Sequence, residues 1–187
     1  FKGTFVFKIE KNKLRFINVR EVIANDIFYS GIFGNFEGET LKLWYEISKE
    51  VKGLVLDAGA YSGIFSLVAA SANKQISIIA FEPDPGSFDL LCKNIQINDF
   101  SNITSDNRAI TDKTGTAVFY LYVEGQATSQ LTIANHRHIP TIAPESSTIT
   151  CETVSFKEYL ESNHKEKKLS LVKFDIDRAE LMVLKDG

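Results

Sequence analysis

Apolar and polar residues alternate at the start of the chain, which is typical of strands with one buried face. The alternation is strict over residues 5–9 and looser over residues 14–19, with a polar stretch at 10–13. This pattern predicts a β-hairpin. From residue 39 to 51 the apolar side chains fall at helical spacing instead, which predicts an amphipathic helix. Residues 20–38 show no clear pattern.

Short apolar runs then alternate with helical stretches. The predicted strands are residues 54–56, 76–81, 103–110 and 169–175. The predicted helices are residues 64–72, a helix beginning at Asp84-Pro85, residues 155–163 and residues 178–185. Aspartate is a good N-cap residue and proline suits the first helical position. Nearly continuous apolar strands that alternate with helices indicate a parallel sheet covered on both faces.

One segment interrupts this alternation. Residues 117–123 and 148–154 are rich in β-branched and aromatic side chains, and the loop-like stretch between them contains Pro140 and Pro144. We therefore predict a β-rich insertion at 116–154 in an α/β fold, a Rossmann-like doubly wound and mostly parallel sheet with an N-terminal β-hairpin. The hairpin and first helix, residues 1–50, are expected to pack on a core domain of residues 51–187.

Composition narrows the class of protein. The chain has 187 residues, 44% of them hydrophobic, and a net charge of -3. These values suit a globular domain and disfavour a nucleic-acid binder, which usually carries a basic face. No apolar run approaches the roughly 20 residues of a membrane span. Cys92 and Cys151 have no metal or redox spacing, so we expect reduced thiols, a cytoplasmic protein and no metal site.

The turn after the first core strand carries the candidate chemistry. It reads Leu56-Asp57-Ala58-Gly59-Ala60-Tyr61-Ser62-Gly63, and Glu82 ends the next strand 19 residues after Gly63. Glycines allow a sharp turn close to a ligand, and an acidic residue at the second strand can accept ribose hydroxyls. A dinucleotide site needs a small residue at Tyr61 for the pyrophosphate. The charge of Asp57 suits an amino group and a sulfonium better than a diphosphate, which favours S-adenosylmethionine over NAD.

The sequence resembles the FkbM family of S-adenosylmethionine-dependent methyltransferases from about residue 37 to 187. The matching runs are Val55 to Ser66, Ala80-Phe81-Glu82-Pro83-Asp84-Pro85, Asn94 to Asn98, Arg108-Ala109-Ile110, Ser129-Gln130-Leu131, Val154 to Leu160, Leu171-Val172-Lys173-Phe174-Asp175-Ile176-Asp177, Ala179-Glu180-Leu181 and Leu184-Lys185. The sequence departs from the family at Tyr61, where Asn is usual, and at Asp177-Arg178, where Glu-Gly is usual. We also expect the last strands of the complete fold to be missing, which would leave the strand at 169–175 as an apolar edge.

The resemblance implies a class I methyltransferase domain with S-adenosylmethionine as cofactor. It implies that Asp57 and Gly59 line the methionine part, Glu82 the ribose, and Asp106 or Asn107 the adenine. The remaining residues expected at the cofactor are Ala60, Tyr61, Gly63, Pro83 and Arg108. Asp175, at the end of a strand, would face the transferable methyl group, either as a general base or as a group that orients the methionine amino group.

The expected activity is O-methylation of a hydroxyl on a sugar or polyketide-like molecule. The partners expected are this small-molecule or glycan acceptor, no nucleic acid, and a second copy of the chain at the sheet edge. The acceptor pocket is expected from the insertion and residues 20–38. His136 and His138 are the second candidates for the base, although surface histidines are the simpler interpretation. The alternatives are a non-catalytic S-adenosylmethionine-binding module in an assembly and a nicotinamide-dependent oxidoreductase.

Overall fold

A computed structural model describes residues 1–124, 128–133, 147–163, 167–176 and 179–186. The helices are α1 Val22–Ser30, α2 Gly38–Glu50, α3 Ile64–Ala72, α4 Pro85–Ile97, α5 Phe156–Asn163 and α6 Glu180–Asp186. The strands are β1 Gly3–Ile9, β2 Asn12–Asn18, β3 Leu54–Ala58, β4 Ser77–Phe81, β5 Ile103–Asp106, β6 Ala109–Thr111, β7 Gly115–Glu124, β8 Thr128–Ile133, β9 Ser147–Ser155 and β10 Leu169–Phe174.

The N-terminal hairpin is confirmed. Strands β1 and β2 pair antiparallel, and every second side chain is buried on one face. The hairpin is tied to α4 by two asparagines. The Ile17 N–H donates to Asn94 Oδ1 at 2.9 Å, and the Arg15 N–H donates to Asn98 Oδ1 at 2.7 Å. Asn94 also donates from Nδ2 to the Ser62 carbonyl at 2.9 Å, so one buried amide joins the hairpin to the turn after β3.

The central sheet is parallel, with the strand order β10-β3-β4-β5. All five residues of β3 are buried, because the sheet is covered on both faces. One core cluster contains side chains of α2 and α3, and a second contains side chains of α5 and α6. After β3 the chain adds β4 and β5 on one side and then returns to add β10 on the other. Strand order therefore reverses at β3, next to β10.

The strand predicted over residues 103–110 is wrong as a single element. The structure divides it into β5, which belongs to the central sheet, and β6, which belongs to a second sheet. The break falls at Asn107 and Arg108, whose side chains bond to the Glu82 carbonyl and to the Asp106 carboxylate. These polar contacts turn the chain out of the first sheet before the apolar residues of β6 begin.

The second sheet has the order β6-β9-β7-β8. The strands predicted at 117–123 and 148–154 are confirmed, as parts of β7 and β9. Strand β8 lies where a loop was predicted, so this part of the prediction is wrong. It pairs antiparallel with β7, and it begins with the polar residues Thr-Ser-Gln, which do not form a strand pattern. Pro140 and Pro144 lie outside the described residues.

Helix α1 was not predicted, because its N-cap is Glu21, an unusual residue there. The buried Glu21 carboxylate accepts the N–H groups of Ala24 at 2.7 Å and Ile23 at 2.8 Å. Helix α5 was predicted from Ser155, and Ser155 Oγ does accept the Glu158 N–H at 3.3 Å. The last helix is described from Glu180; its predicted start, Arg178, lies outside the described residues.

Strand β10 is an edge of the central sheet: within the described ranges it pairs with β3 alone. Its six residues are half-buried, in contrast to the fully buried β3. A search of the described helices finds none that is long and apolar enough to cross a membrane.

Candidate functional site

Ligands of doubly wound sheets bind beyond the carboxyl ends of the strands, at the point where strand order reverses. Here that point lies between β3 and β10, with β4 beside it. We call the space at the carboxyl ends of β3, β4 and β10 the site crevice. The turn after β3, Glu82 after β4 and Asp175 after β10 meet there, as the sequence predicted.

The turn after β3 depends on Gly59, whose φ is +78°. A Cβ at this position would lie 1.9 Å from the backbone oxygen of Asp175. The sequence suggested that this glycine leaves room for a ligand. The structure gives a different reason: the chain leaving β10 packs directly against the turn, and no side chain fits between them.

Tyr61 also has a left-handed backbone, with φ +50°, an uncommon conformation for a bulky residue. Its N–H donates to Glu82 Oε2 at 2.7 Å, and Ala60 donates to the carbonyl of Phe81 at 2.9 Å. Burial, followed by the charges of Glu21, Glu82 and Asp84, raises the pKa of the Tyr61 phenol above its ordinary value. The turn is thus held against the end of β4 by backbone donors.

Glu82 is the buried acid of the crevice. Oε2 accepts the Tyr61 N–H, and Oε1 accepts the Asp84 N–H at 2.9 Å. Burial raises the pKa of Glu82 to about 7, although the two backbone donors lower it. Each carboxylate oxygen can accept two hydrogen bonds, so one acceptor position on each remains for a diol.

The chain after β5 completes this side of the crevice. The Glu82 N–H donates to the Asp106 carbonyl at 3.0 Å, and Asn107 Nδ2 donates to the Glu82 carbonyl at 2.7 Å. Arg108 binds the Asp106 carboxylate through Nε at 2.8 Å and Nη2 at 2.6 Å. The Cys151 thiol donates to the Pro83 carbonyl at 3.4 Å. The residues predicted near ribose and adenine are therefore brought together, with the Asp106 carboxylate already bound by an arginine.

On the other side, the Asp57 carboxylate is fully buried. Oδ2 accepts the Ser66 hydroxyl at 2.7 Å. Oδ1 lies 3.3 Å from Lys173 Nζ and forms an ion pair with it. Asp57 was predicted to line the methionine part of a ligand. Both oxygens of Asp57 contact protein groups, so Asp57 acts on the crevice by fixing the position of Lys173.

Lys173 is the residue that the sequence analysis left out of the site. Its Nζ donates to the Gly59 carbonyl at 3.0 Å, and lies 3.5 Å from Asp175 Oδ2 and 4.9 Å from the centre of the Phe65 ring. Burial lowers the pKa of Lys173, but the charges of Asp57 and Asp175 outweigh burial and raise it. The available signal was a lysine inside an otherwise apolar strand, where an unpaired charge is costly.

Comparison with known proteins agrees with this geometry. The Methyltransferase FkbM domain matches residues 57–187, more than half of the chain. The chain belongs to the FkbM methyltransferase domain family.

Two curated relatives of this FkbM domain are methyltransferases by name. Methyltransferase 1 of Beauveria bassiana is 23% identical over 141 residues, which are 70% of this chain and 57% of that protein. Methyltransferase sdnD of Sordaria araneosa is 44% identical over 45 residues, which are 24% of this chain and 17% of that protein. The chain thus spans little more than half the length of the first relative and a smaller part of the second.

Solved structures resemble the FkbM domain weakly. TYW2 of P. horikoshii in complex with MeSAdo gives a TM-score of 0.41 at 21% identity, covering 58% of this chain and 37% of that one. TYW2 of M. jannaschii in complex with AdoMet gives a TM-score of 0.41 at 19% identity, covering 62% and 53%.

Several predicted residues of the FkbM domain lie outside the described residues: His136, His138, Asp177 and Arg178. Of the described residues, no group of three or more histidine, cysteine or acidic side chains could hold a metal ion. Chemically, the site crevice offers a buried acid next to backbone donors on one side and a lysine between two carboxylates on the other.

Proposed function

We propose that this chain is an S-adenosylmethionine-dependent methyltransferase that methylates a hydroxyl of a sugar or polyketide-like small molecule. One observation carries the proposal. The buried Glu82 carboxylate accepts the Tyr61 N–H of the turn after β3, beside the point where strand order reverses. Membership of the FkbM family and the names of the two curated relatives support it.

The residues of the crevice fit this cofactor. The spare acceptor positions of Glu82 suit the two hydroxyls of a ribose. Among the described residues, three buried side-chain oxygens lack a hydrogen-bond partner: Ser48 Oγ, Ser62 Oγ and Asp57 Oδ1. Asp57 Oδ1 is ion-paired with Lys173, whereas Ser62 belongs to the turn after β3, where an unpartnered polar atom suits a neighbouring ligand. When bound, the cofactor supplies an electrophilic methyl group on a sulfonium. The protein contributes position and a site from which water is excluded.

Roles follow the order of the strands. Asp57, Gly59, Ala60, Tyr61 and Gly63 would surround the amino-acid end of the cofactor. Glu82 and Pro83 would face the ribose, and Asp106, Asn107 and Arg108 the adenine. Each of these residues belongs to β3, β4, β5 or the turn that follows.

A hydroxyl acceptor must lose a proton during transfer, and we assign Asp175 as the general base. Its carboxylate is 63% exposed at the mouth of the crevice, whereas Asp57 and Glu82 are buried. Of the three carboxylates, Asp175 is thus the one that an acceptor can reach.

Two further proposals concern the surroundings. Both described cysteines are free thiols, which suits the reducing cytoplasm. The edge strand β10 offers backbone groups for pairing with a second copy of the chain. Size-exclusion chromatography with light scattering would test the oligomer.

Titration calorimetry with S-adenosylhomocysteine tests the proposed function directly. We expect micromolar binding to the wild-type chain and no binding of NAD. Glu82→Ala should weaken binding about tenfold to a hundredfold, because charge-assisted hydrogen bonds to the ribose are lost. The control Glu39→Ala removes a surface carboxylate of α2 and should leave binding unchanged.

Tight NAD binding would contradict the proposal and favour an oxidoreductase.

Methyltransferase activity is measured separately, by transfer of a radiolabelled methyl group from S-adenosylmethionine to a panel of glycans and polyketide-like alcohols. Binding of S-adenosylhomocysteine without transfer to any hydroxyl would instead favour a non-catalytic module.

A further inference from the structure

The partners of Lys173 are unequal. An ammonium has three donors, and three acceptors surround this one: the Gly59 carbonyl at 3.0 Å, Asp57 Oδ1 at 3.3 Å and Asp175 Oδ2 at 3.5 Å. The shortest contact is to the backbone of the turn, and the longest is to the residue after β10.

The three contacts also differ in how easily they exchange. Asp57 is completely buried, so separating it from Lys173 would leave a buried charge with the neutral Ser66 hydroxyl as its hydrogen-bond partner and no cation. Asp175 is 63% exposed, so water can solvate its carboxylate as soon as the contact breaks. The position beside Lys173 that Asp175 occupies is therefore the one that another anion can take.

We propose that Lys173 binds the α-carboxylate of S-adenosylmethionine, and that Asp175 holds this position until the ligand arrives. The proposal rests on the proposed function. One carboxylate replaces another, so Lys173 remains between two negative charges and the electrostatic balance of the crevice is kept. Asp175, once released, is free to face the acceptor hydroxyl.

Other features of the site support Lys173 as the receiving cation. Among the described residues it is the one basic side chain that forms ion pairs with Asp57 or Asp175, and Arg108 is already bound to Asp106. Its side chain is only 13% exposed. A charge-assisted hydrogen bond gains strength in such a low-dielectric setting.

Two ligands separate this role from a merely structural one. S-adenosylhomocysteine carries the amino-acid end, and 5′-methylthioadenosine has the same nucleoside without it. Lys173→Met should weaken binding of the first about tenfold or more, and change binding of the second less than about twofold. The control Lys167→Met, whose lysine bonds to Ser77 at the amino end of β4, should change neither. Equal weakening for both ligands, or no weakening for either, would overturn the inference.

Asp175→Asn gives an independent test that does not depend on how Lys173→Met folds, because Asp175 is on the surface. Removing the competing carboxylate should leave the affinity for S-adenosylhomocysteine unchanged or raise it up to about threefold, while methyl transfer falls. A loss of affinity greater than about threefold would show that Asp175 binds the ligand itself, against the inference.

The wild-type chain separates the two proposals. If it binds neither ligand, the proposed function fails, and the inference fails with it. If it binds S-adenosylhomocysteine but Lys173→Met binds it equally well, the proposed function stands and the inference is wrong.

Discussion

On one side of the site crevice the buried Glu82 carboxylate is held by two backbone N–H groups, whereas on the other side the exposed Asp175 carboxylate is held by an ion pair with Lys173. Backbone donors in short turns next to buried strands do not reorganise easily. Ion pairs that include an exposed carboxylate exchange partners at little cost. From this difference we expect that the proposed ribose side is preformed, and that the proposed amino-acid side rearranges when a ligand binds.

The largest effect is expected at Gly59, where the turn after β3 packs against the chain that leaves β10. Gly59→Ala should destabilise the chain by about 4 kcal/mol or more, since it adds a clash with the Asp175 carbonyl to the strain of a left-handed alanine. Gly31→Ala is the control without the clash, because its Cβ would meet no atom within 4 Å, although its φ of +82° and ψ of 167° also favour glycine. Urea unfolding should find a loss of about 1–3 kcal/mol for the control; a loss equal to that of Gly59→Ala would exclude the clash as the cause.

The next largest effect is expected on the ion-paired side. Lys173→Met should cost about 3 kcal/mol of unfolding free energy, since Asp57 is left buried without its cation. Adding Asp57→Asn should recover part of that loss. Additive losses in this double-mutant cycle would mean that the buried pair does not contribute as a pair.

On the Glu82 side, the free energy of unfolding should depend on pH. The pKa of Glu82 is raised from 4.5 to about 7 in the folded chain, so the folded state holds a proton that the unfolded state releases between these values. Stability from this group is present below pH 4.5 and is lost as pH rises through about 7.

Glu82→Gln should remove this dependence. Between pH 4.5 and 8 the wild-type chain should lose on the order of 2 kcal/mol more unfolding free energy than the variant. The surface variant Glu39→Gln should retain the wild-type slope. Parallel slopes for wild type and Glu82→Gln in urea unfolding would be evidence against a raised pKa.

The smallest effect is expected at the outer part of the preformed side. Arg108→Met removes a partly exposed ion pair with Asp106, so the loss of unfolding free energy should stay below about 1 kcal/mol. Calorimetry should find the affinity for S-adenosylhomocysteine changed less than about threefold. A tenfold loss would mean that Arg108 fixes Asp106 or Asn107 for the adenine.

The two sides also differ in how well the sequence predicted them. Glu82 and the turn after β3 follow apolar runs, so their positions are set by local pattern. The role of Lys173 depends on strand register, which sets it opposite Asp57 across two strands far apart in the chain. A single sequence contains no record of that pairing.

The same reasoning applies to the fold. Helix α3 and strands β3 and β4 have continuous apolar patterns and were predicted within a few residues. Helix α1 exposes apolar residues such as Phe28 and Tyr29, so its apolar residues do not fall on one face, and its N-cap is a glutamate. Neither feature predicts a helix. Strand β8 pairs with β7, but its sequence has no apolar run and no strict alternation of apolar and polar residues that would predict it.

The amide of Asn94 has a consequence for anyone who trims this protein. It accepts a hydrogen bond from the Ile17 N–H of the hairpin and donates one to the carbonyl of Ser62, next to Gly63, the glycine that precedes α3. The first 18 residues precede the FkbM match, yet through Asn94 they are hydrogen-bonded to the turn after β3. A shortened version that keeps the whole family domain but begins after Asn18 would lose this connection, and we expect the turn to be less stable in it.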